Sequence, residues 1–323
     1  MNDVWGDTAL ALRVRRSLGK KHPVVAVATV ARDNVAISGW GAAAEADFEI
    51  GSISKGVTGL LYRDAVERGV LKGSTTLGEL LPLEKNCPVA GVELQALSKH
   101  RSGLPSLPPA RLGLRRSLWW WNGSNPYGET LDETIEQAAE VKVGNPRPRY
   151  SNFGFELLGH AVARAQNTTY PQLVQERIAA KLGLKSWYIA ASPGDLRPTS
   201  LLGHSKRGWK REAWTGESLA PAGGIRSTIR DMAEFARALL EERTVGLDAL
   251  DPVAPLGSGA RIGAAWITLE NKGRVITWHN GGTGGFRTWL GMDREAGIGA
   301  VILSATSASV DAAGFRLLDE HGA

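Results

Sequence analysis

Cysteine is almost missing: Cys87 is the only one in 323 residues. That excludes an internal disulfide and any thiolate-built metal site. The six histidines, His22, His100, His160, His204, His279 and His321, form no HExxH or comparable cluster. No metal is expected, and no other cofactor. Long apolar runs are missing too. The longest, Val24 to Ala31, falls far short of the roughly 18 residues of a membrane span, so no membrane partner is expected. Residues 1–21 carry Asp3, Asp7, Arg13, Arg15, Arg16, Lys20 and Lys21, with no apolar stretch before a small-residue cleavage site. The expectation is a cytoplasmic protein. There is no Walker A segment. Gly281-Gly282-Thr283-Gly284-Gly285 is not GxGxxG and lies between two strand-like segments, which argues against a nucleotide. The charge balance is mildly basic, 38 Lys plus Arg against 33 Asp plus Glu. The clusters, such as Arg13-Val14-Arg15-Arg16 and Arg147-Pro148-Arg149, carry no zinc-finger, RNP-like or KH pattern. They read as solvated surface, and no nucleic-acid partner is expected.

What is present suits a large core: 43% hydrophobic and 22% charged residues. Thr8 to Lys20 has a helical look, and His22-Pro23 ends it. Val24–Val30 and Val35–Trp40 read as a strand pair around Asp33-Asn34. From Ser52 to Gly69, Ile53, Val57, Leu60, Leu61, Ala65 and Val66 recur at helical spacing. Residues 73–221 hold helical segments (76–81, 130–142, 152–166 and 170–182) between Pro- and Gly-rich loops, with few strand signals. A helix follows over 227–240. Strands return at 262–269, 274–279, 286–292 and 298–304, before a last helix near 309–318. The fold class expected is α/β (α+β). One antiparallel sheet, built by residues 1–72 and 222–323 and flanked by helices, carries a mainly helical insertion over 73–221.

Three segments carry chemistry. Ser52-Ile53-Ser54-Lys55 is an S-x-x-K at a helix start. Residues three apart share a helical face, so Lys55 can reach the Ser52 hydroxyl. A partly buried lysine loses its proton readily and can activate a nucleophile. A second S-x-x-K, Ser17 to Lys20, has nothing around it to build a site and reads as a decoy. Tyr150-Ser151-Asn152 follows two prolines and precedes a helix. Alone, it reads as a packed ring followed by an Asn cap. His279-Asn280-Gly281-Gly282 ends one strand and opens a glycine-rich turn. There glycine lets a ligand lie close to the backbone, and a backbone N–H can join that of Ser52 around an oxyanion. Alone, it reads as a plain hairpin turn.

In this order the segments resemble the serine hydrolases of the penicillin-recognising superfamily: class C β-lactamases, DD-peptidases, and related esterases, D-aminopeptidases and transacylases. Phe48 to Lys55 is similar to their nucleophile segment. His100-Arg101-Ser102-Gly103-Leu104-Pro105 resembles their H-T-S-G-L-P loop. Pro221 to Thr228 resembles P-A-G-G-L-x-S-T, and Trp278 to Phe286 resembles the H-T-G-G-T-x-G-F strand. The resemblance implies that Ser52 is acylated and that Lys55 and Tyr150 share the base and acid work. It implies that Asn152 holds Lys55 and the substrate amide, and that His279 lines the site. The Ser52 and Gly282 N–H groups, beside Gly281, would form the oxyanion hole. It also implies a β-lactamase/transpeptidase-like fold with the insertion roofing the site.

Two departures bear on substrate. His279 stands where β-lactamases usually carry Lys, so the usual cation for a substrate carboxylate is missing at that position. No export signal is visible, and the E-x-x-L-N motif of class A enzymes is absent. The expected activity is an acyl-enzyme hydrolase or transacylase. Its partners are a small ester or amide and, for transfer, an amine or alcohol acceptor. The alternatives are a class C-type β-lactamase or DD-peptidase, and a non-catalytic binding homologue. An α/β-hydrolase using Ser54 is a further alternative, but the first glycine of G-x-S-x-G is missing there. Trp119-Trp120-Trp121, within the insertion, reads either as packing or as an aromatic wall for a bulky group.

Overall fold

The residue pattern of Val25–Ala31 (β2) explains the centre of the molecule. Ala26, Ala28 and Val30 enter one core, while Val25 and Val27 enter another on the opposite face. A strand alternates its side chains with period two. Burial on both faces therefore demands an unbroken apolar run, which is what the sequence supplies. In the computed structural model, residues 4–84, 86–107 and 122–322 are described. Among them is a nine-stranded sheet in the order β1-β3-β2-β12-β11-β10-β9-β8-β7, with every pair antiparallel. Its strands are β1 (Val4–Gly6), β2, β3 (Val35–Trp40), β7 (Ala254–Gly257), β8 (Ala260–Ile262), β9 (Ile267–Asn271), β10 (Arg274–Gly282), β11 (Arg287–Asp293) and β12 (Ile298–Ser304).

Helices α1 (Thr8–Leu18) and α11 (Asp311–His321) cover one face. Asp7 caps α1 by accepting the Leu10 N–H. On the other face lie α2 (Ile53–Glu67) and α10 (Ile229–Leu240). Helix α2 is buried almost all round, as a helix packed between two layers must be. Beyond it is a helical layer: α3 (Leu77–Leu80), α4 (Leu94–Ser98), α5 (Leu131–Ala139), α6 (Asn152–Arg164), α7 (Tyr170–Val174), α8 (Ala180–Leu182) and α9 (Ala220–Gly223). No helix among the described residues is long and apolar enough to cross a membrane.

Two details differ from the sequence expectation. Segment 262–269 is not one strand. Gly263 N–H donates to the Trp266 carbonyl, and Ala265 takes φ +71°. This turn drives Trp266 into the core, where its indole N–H donates to the Gly56 carbonyl of α2. A small second sheet also forms, β4 (Phe48–Glu49), β6 (Ile225–Ser227) and β5 (Tyr188–Ile189). It ties residues 48–49, through β6, to residues 188–189. Buried Arg226 locks it by pairing with Asp47 and Glu49. Charges that far from water require such partners.

Candidate active site

Ser52 precedes the first turn of α2, whose Ser54 and Lys55 N–H groups donate to the Gly51 and Ser52 carbonyls. The chain reaches it through Gly51, whose φ is +55°, a region that favours glycine. Lys55, one turn on from Ser52, donates through Nζ to Ser52 Oγ at 3.1 Å, and also to the Ala222 carbonyl of α9 at 2.5 Å. From the other side, the Tyr150 hydroxyl donates to Ser52 Oγ at 2.6 Å. Ser54 faces away. It is fully buried, and its Oγ accepts the Ile225 N–H. Ser17 lies on α1, where its Oγ accepts from Arg316, far from this cluster in the fold.

Burial tunes the two partners of Ser52. Desolvation pulls the Lys55 amine down to about 7, against the pull of the Glu156 carboxylate. The amine is therefore near half-neutral at neutral pH. Desolvation raises the Tyr150 phenol, and its hydrogen bond to Ser52 opposes the rise. Tyr150 is 45% exposed, so water tempers that rise, but the group remains a protonated donor at neutral pH.

Strand β10 forms the third wall. Strand β9 pairs with it only as far as Trp278. From His279 to Gly282, β11 is its only strand partner among the described residues. Gly281 presses on the nucleophile segment: a Cβ there would stand 2.0 Å from the Ile50 carbonyl oxygen. Thr288 of β11 donates to that same oxygen at 2.8 Å. A Cβ on Gly51 would lie 2.7 Å from the Gly282 nitrogen. The backbone of β10 is thus packed directly against residues 50–51. His279 is buried, with Nδ1 2.6 Å from the Asn280 carbonyl oxygen. Desolvation first, and then nearby Lys55, lower it to about 4, so it is neutral.

Asn152 departs from the role that the resemblance implies. Its side chain does not bond Lys55. Its Nδ2 donates to the Tyr127 hydroxyl at 2.7 Å, and its buried Oδ1 has no hydrogen-bond partner among the described residues. Nor does Asn152 cap α6; Ser151 does, accepting the Gly154 N–H. Of the Asn152 amide, only the oxygen is thus left without a partner among the described residues.

The family model described as Beta-lactamase matches residues 11–322. The chain belongs to the Beta-lactamase family. A curated relative, the D-alanyl-D-alanine-carboxypeptidase/endopeptidase AmpH of Escherichia coli (strain K12), is 26% identical over 277 residues, spanning 79% of this chain and 69% of that protein. Two solved structures share the fold. A beta-lactamase/D-alanine carboxypeptidase from Pseudomonas syringae has a TM-score of 0.81 at 18% identity, covering 95% of this chain and 97% of that one. A class C beta lactamase from Rhodobacter sphaeroides also has a TM-score of 0.81, at 20% identity, covering 97% and 99%. The expected α/β sheet architecture is therefore the β-lactamase fold, and the chain is a β-lactamase-family serine hydrolase.

Several groups at this β-lactamase-family site were not singled out by sequence reasoning. The Ala222 carbonyl holds Lys55, and Tyr127 holds Asn152. The cation missing at 279 has a neighbour instead: Arg287 is the register partner of Gly282. A Cβ on Gly282 would meet the Arg287 Nη1 at 2.8 Å. That nitrogen donates to the Thr283 and Phe286 carbonyls. Only the spacing across the 283–286 turn could have flagged it. Trp119–Trp121 lie outside the described residues.

Proposed function

We propose that this serine hydrolase forms an acyl-enzyme at Ser52 from a small ester or amide, then releases the acyl group to water or to an amine or alcohol. One observation carries the reading: Ser52 Oγ stands within hydrogen-bond reach of both the Lys55 amine and the Tyr150 hydroxyl. Neutral Lys55 takes the serine proton as Oγ bonds to the acyl carbon. The N–H groups of Ser52 and Gly282 hold the oxyanion. Tyr150 gives its proton to the leaving oxygen or nitrogen as that bond breaks, and Lys55 returns the proton to Tyr150. The acceptor then repeats the path in reverse. Asn152 holds a substrate amide, and neutral His279 lines the wall. Tyr150, Asn152 and Tyr127 all come from residues 73–221, which supports reading that stretch as a unit roofing the site set on the sheet.

A fluorophosphonate followed by peptide mass analysis tests the nucleophile. The adduct is expected on Ser52; an adduct on Ser54 overturns the assignment. Side-by-side kcat/KM for a p-nitrophenyl ester and nitrocefin tests the substrate class, with the ester expected to be faster. Nitrocefin turnover on the order of 10⁶ M⁻¹s⁻¹ beside a weak ester reaction would make the protein a β-lactamase. One observation favours a second reading, an acyl donor with a free carboxylate: the Arg287 guanidinium beside Gly282. The relative named a D-alanyl-D-alanine-carboxypeptidase points the same way.

A further inference from the structure

We propose that His100 is a positioning residue for Tyr150: it holds the backbone on both sides of that tyrosine and backs its ring, aiming the hydroxyl at Ser52. The proposal rests on Tyr150 being the proton donor described above. Tyr150 lies near the end of a stretch, 141–151, that is neither helix nor strand. Nothing in such a loop fixes a side chain by itself. One residue supplies what the loop lacks. The His100 carbonyl accepts the Arg149 N–H at 2.8 Å. Its Nδ1 accepts the Ser151 N–H at 3.2 Å. Its ring lies between those of Tyr150 and Phe155, with centroids 4.5 and 4.8 Å away. The tyrosine is gripped before, after and behind. Farther along the same loop, the Pro105 carbonyl accepts from Ser151 Oγ and the Ser106 carbonyl from the Asn152 N–H.

Two features show that this geometry is built rather than incidental. His100 is buried and takes φ +55°, a conformation uncommon outside glycine that persists only when its surroundings impose it. Because Nδ1 accepts a backbone N–H, the ring proton belongs on Nε2, which is buried without a partner among the described residues. The ring must stay neutral, since an imidazolium would direct a second N–H at the Ser151 N–H. Burial, with Lys55 and His279 nearby, holds it neutral.

The test compares kcat/KM for p-nitrophenyl butyrate and ethyl butyrate. The first leaving group needs little protonation; the second depends on a proton donor. Tyr150→Phe should widen the ratio between them by about a hundredfold. His100→Gly removes the ring and the acceptor without straining φ. It should widen the ratio roughly tenfold while Ser52 still takes the fluorophosphonate. His100→Asn tolerates positive φ and keeps an acceptor near the place of Nδ1, so it should restore most of the wild-type ratio. Equal losses on both esters in His100→Gly, or an Asn variant as impaired as the Gly variant, would overturn the proposal. An unchanged ratio in Tyr150→Phe would instead overturn the reading of Tyr150 itself. Should the Gly variant fail to fold, the Asn variant decides. A ratio near wild type supports the role, and one as wide as that of Tyr150→Phe refutes it.

Discussion

The Lys55 amine nitrogen lies 4.9 Å from the centroid of the Tyr150 ring, and both side chains reach the same oxygen, Ser52 Oγ. Both are therefore placed to exchange a proton with the same hydroxyl. Removing either should slow turnover severely. The double variant Lys55→Ala/Tyr150→Phe should lose little more than the worse single one, because groups acting as a unit are not additive. Single-turnover acylation rates for the four proteins check this. Independent, multiplying losses would mean that the two share no proton path.

The lowered Lys55 amine makes a pH prediction with two signs to follow. Activity should rise as pH passes through about 7, where the amine loses its proton. Stability should also rise, over a different window. The unfolded lysine binds a proton up to about 10.5, whereas the folded one releases it near 7. Between these values the unfolded chain carries the extra proton, so stability climbs with pH. The full window corresponds to on the order of 5 kcal/mol. Urea unfolding of wild type and Lys55→Met at pH 7 and pH 9.5 isolates the effect. Only the wild type should gain from this group.

Arg287 should divide substrates by charge. Arg287→Met is expected to raise KM about tenfold or more for an ester carrying a free carboxylate, since a charge-assisted hydrogen bond contributes about 1.5–3 kcal/mol. A neutral butyrate ester should be unaffected. Equal effects on both would assign Arg287 to holding the 283–286 turn, where its Nη1 already donates to two carbonyls.

Gly281→Ala tests the packing of β10 on the nucleophile segment. Its Cβ would arrive 2.0 Å from the Ile50 oxygen and 2.2 Å from Thr288 Oγ1, so one strand must move. A displacement of about 1 Å can cost on the order of a hundredfold in rate. Acylation by the fluorophosphonate should slow by that much, and Tm should fall. A wild-type labelling rate would show that the oxyanion geometry does not depend on this contact.

The sequence was most informative where one period or one spacing decided the matter. Val25–Ala31 had to be a strand buried on both faces, α2 had to be a buried helix, and Ser52 and Lys55 had to share its first turn. It was silent where a contact joins distant loops. Tyr127 meets Asn152 across 25 residues, and Ala222 meets Lys55 across 167. It misread 262–269 because an apolar run does not reveal a single residue, Ala265, in the left-handed region. The Asn152 contacts could not be read from its own segment: Ser151 takes the cap of α6, and the Asn152 Nδ2 donates to Tyr127 rather than Lys55 meeting the side chain.

The middle of the large sheet joins β2 to β12, so that Val27 faces Ile302 across the ladder. On the ribosome, Ser52 and the helix behind it emerge long before that neighbour is made. Until then the apolar surface of α2 has no finished sheet to pack on, and β2 shows an unpaired edge that invites association with other chains. Closing contacts so remote in the chain is slow. The β2–β12 pairing thus closes late in synthesis, and until then the nascent protein passes through an aggregation-prone interval.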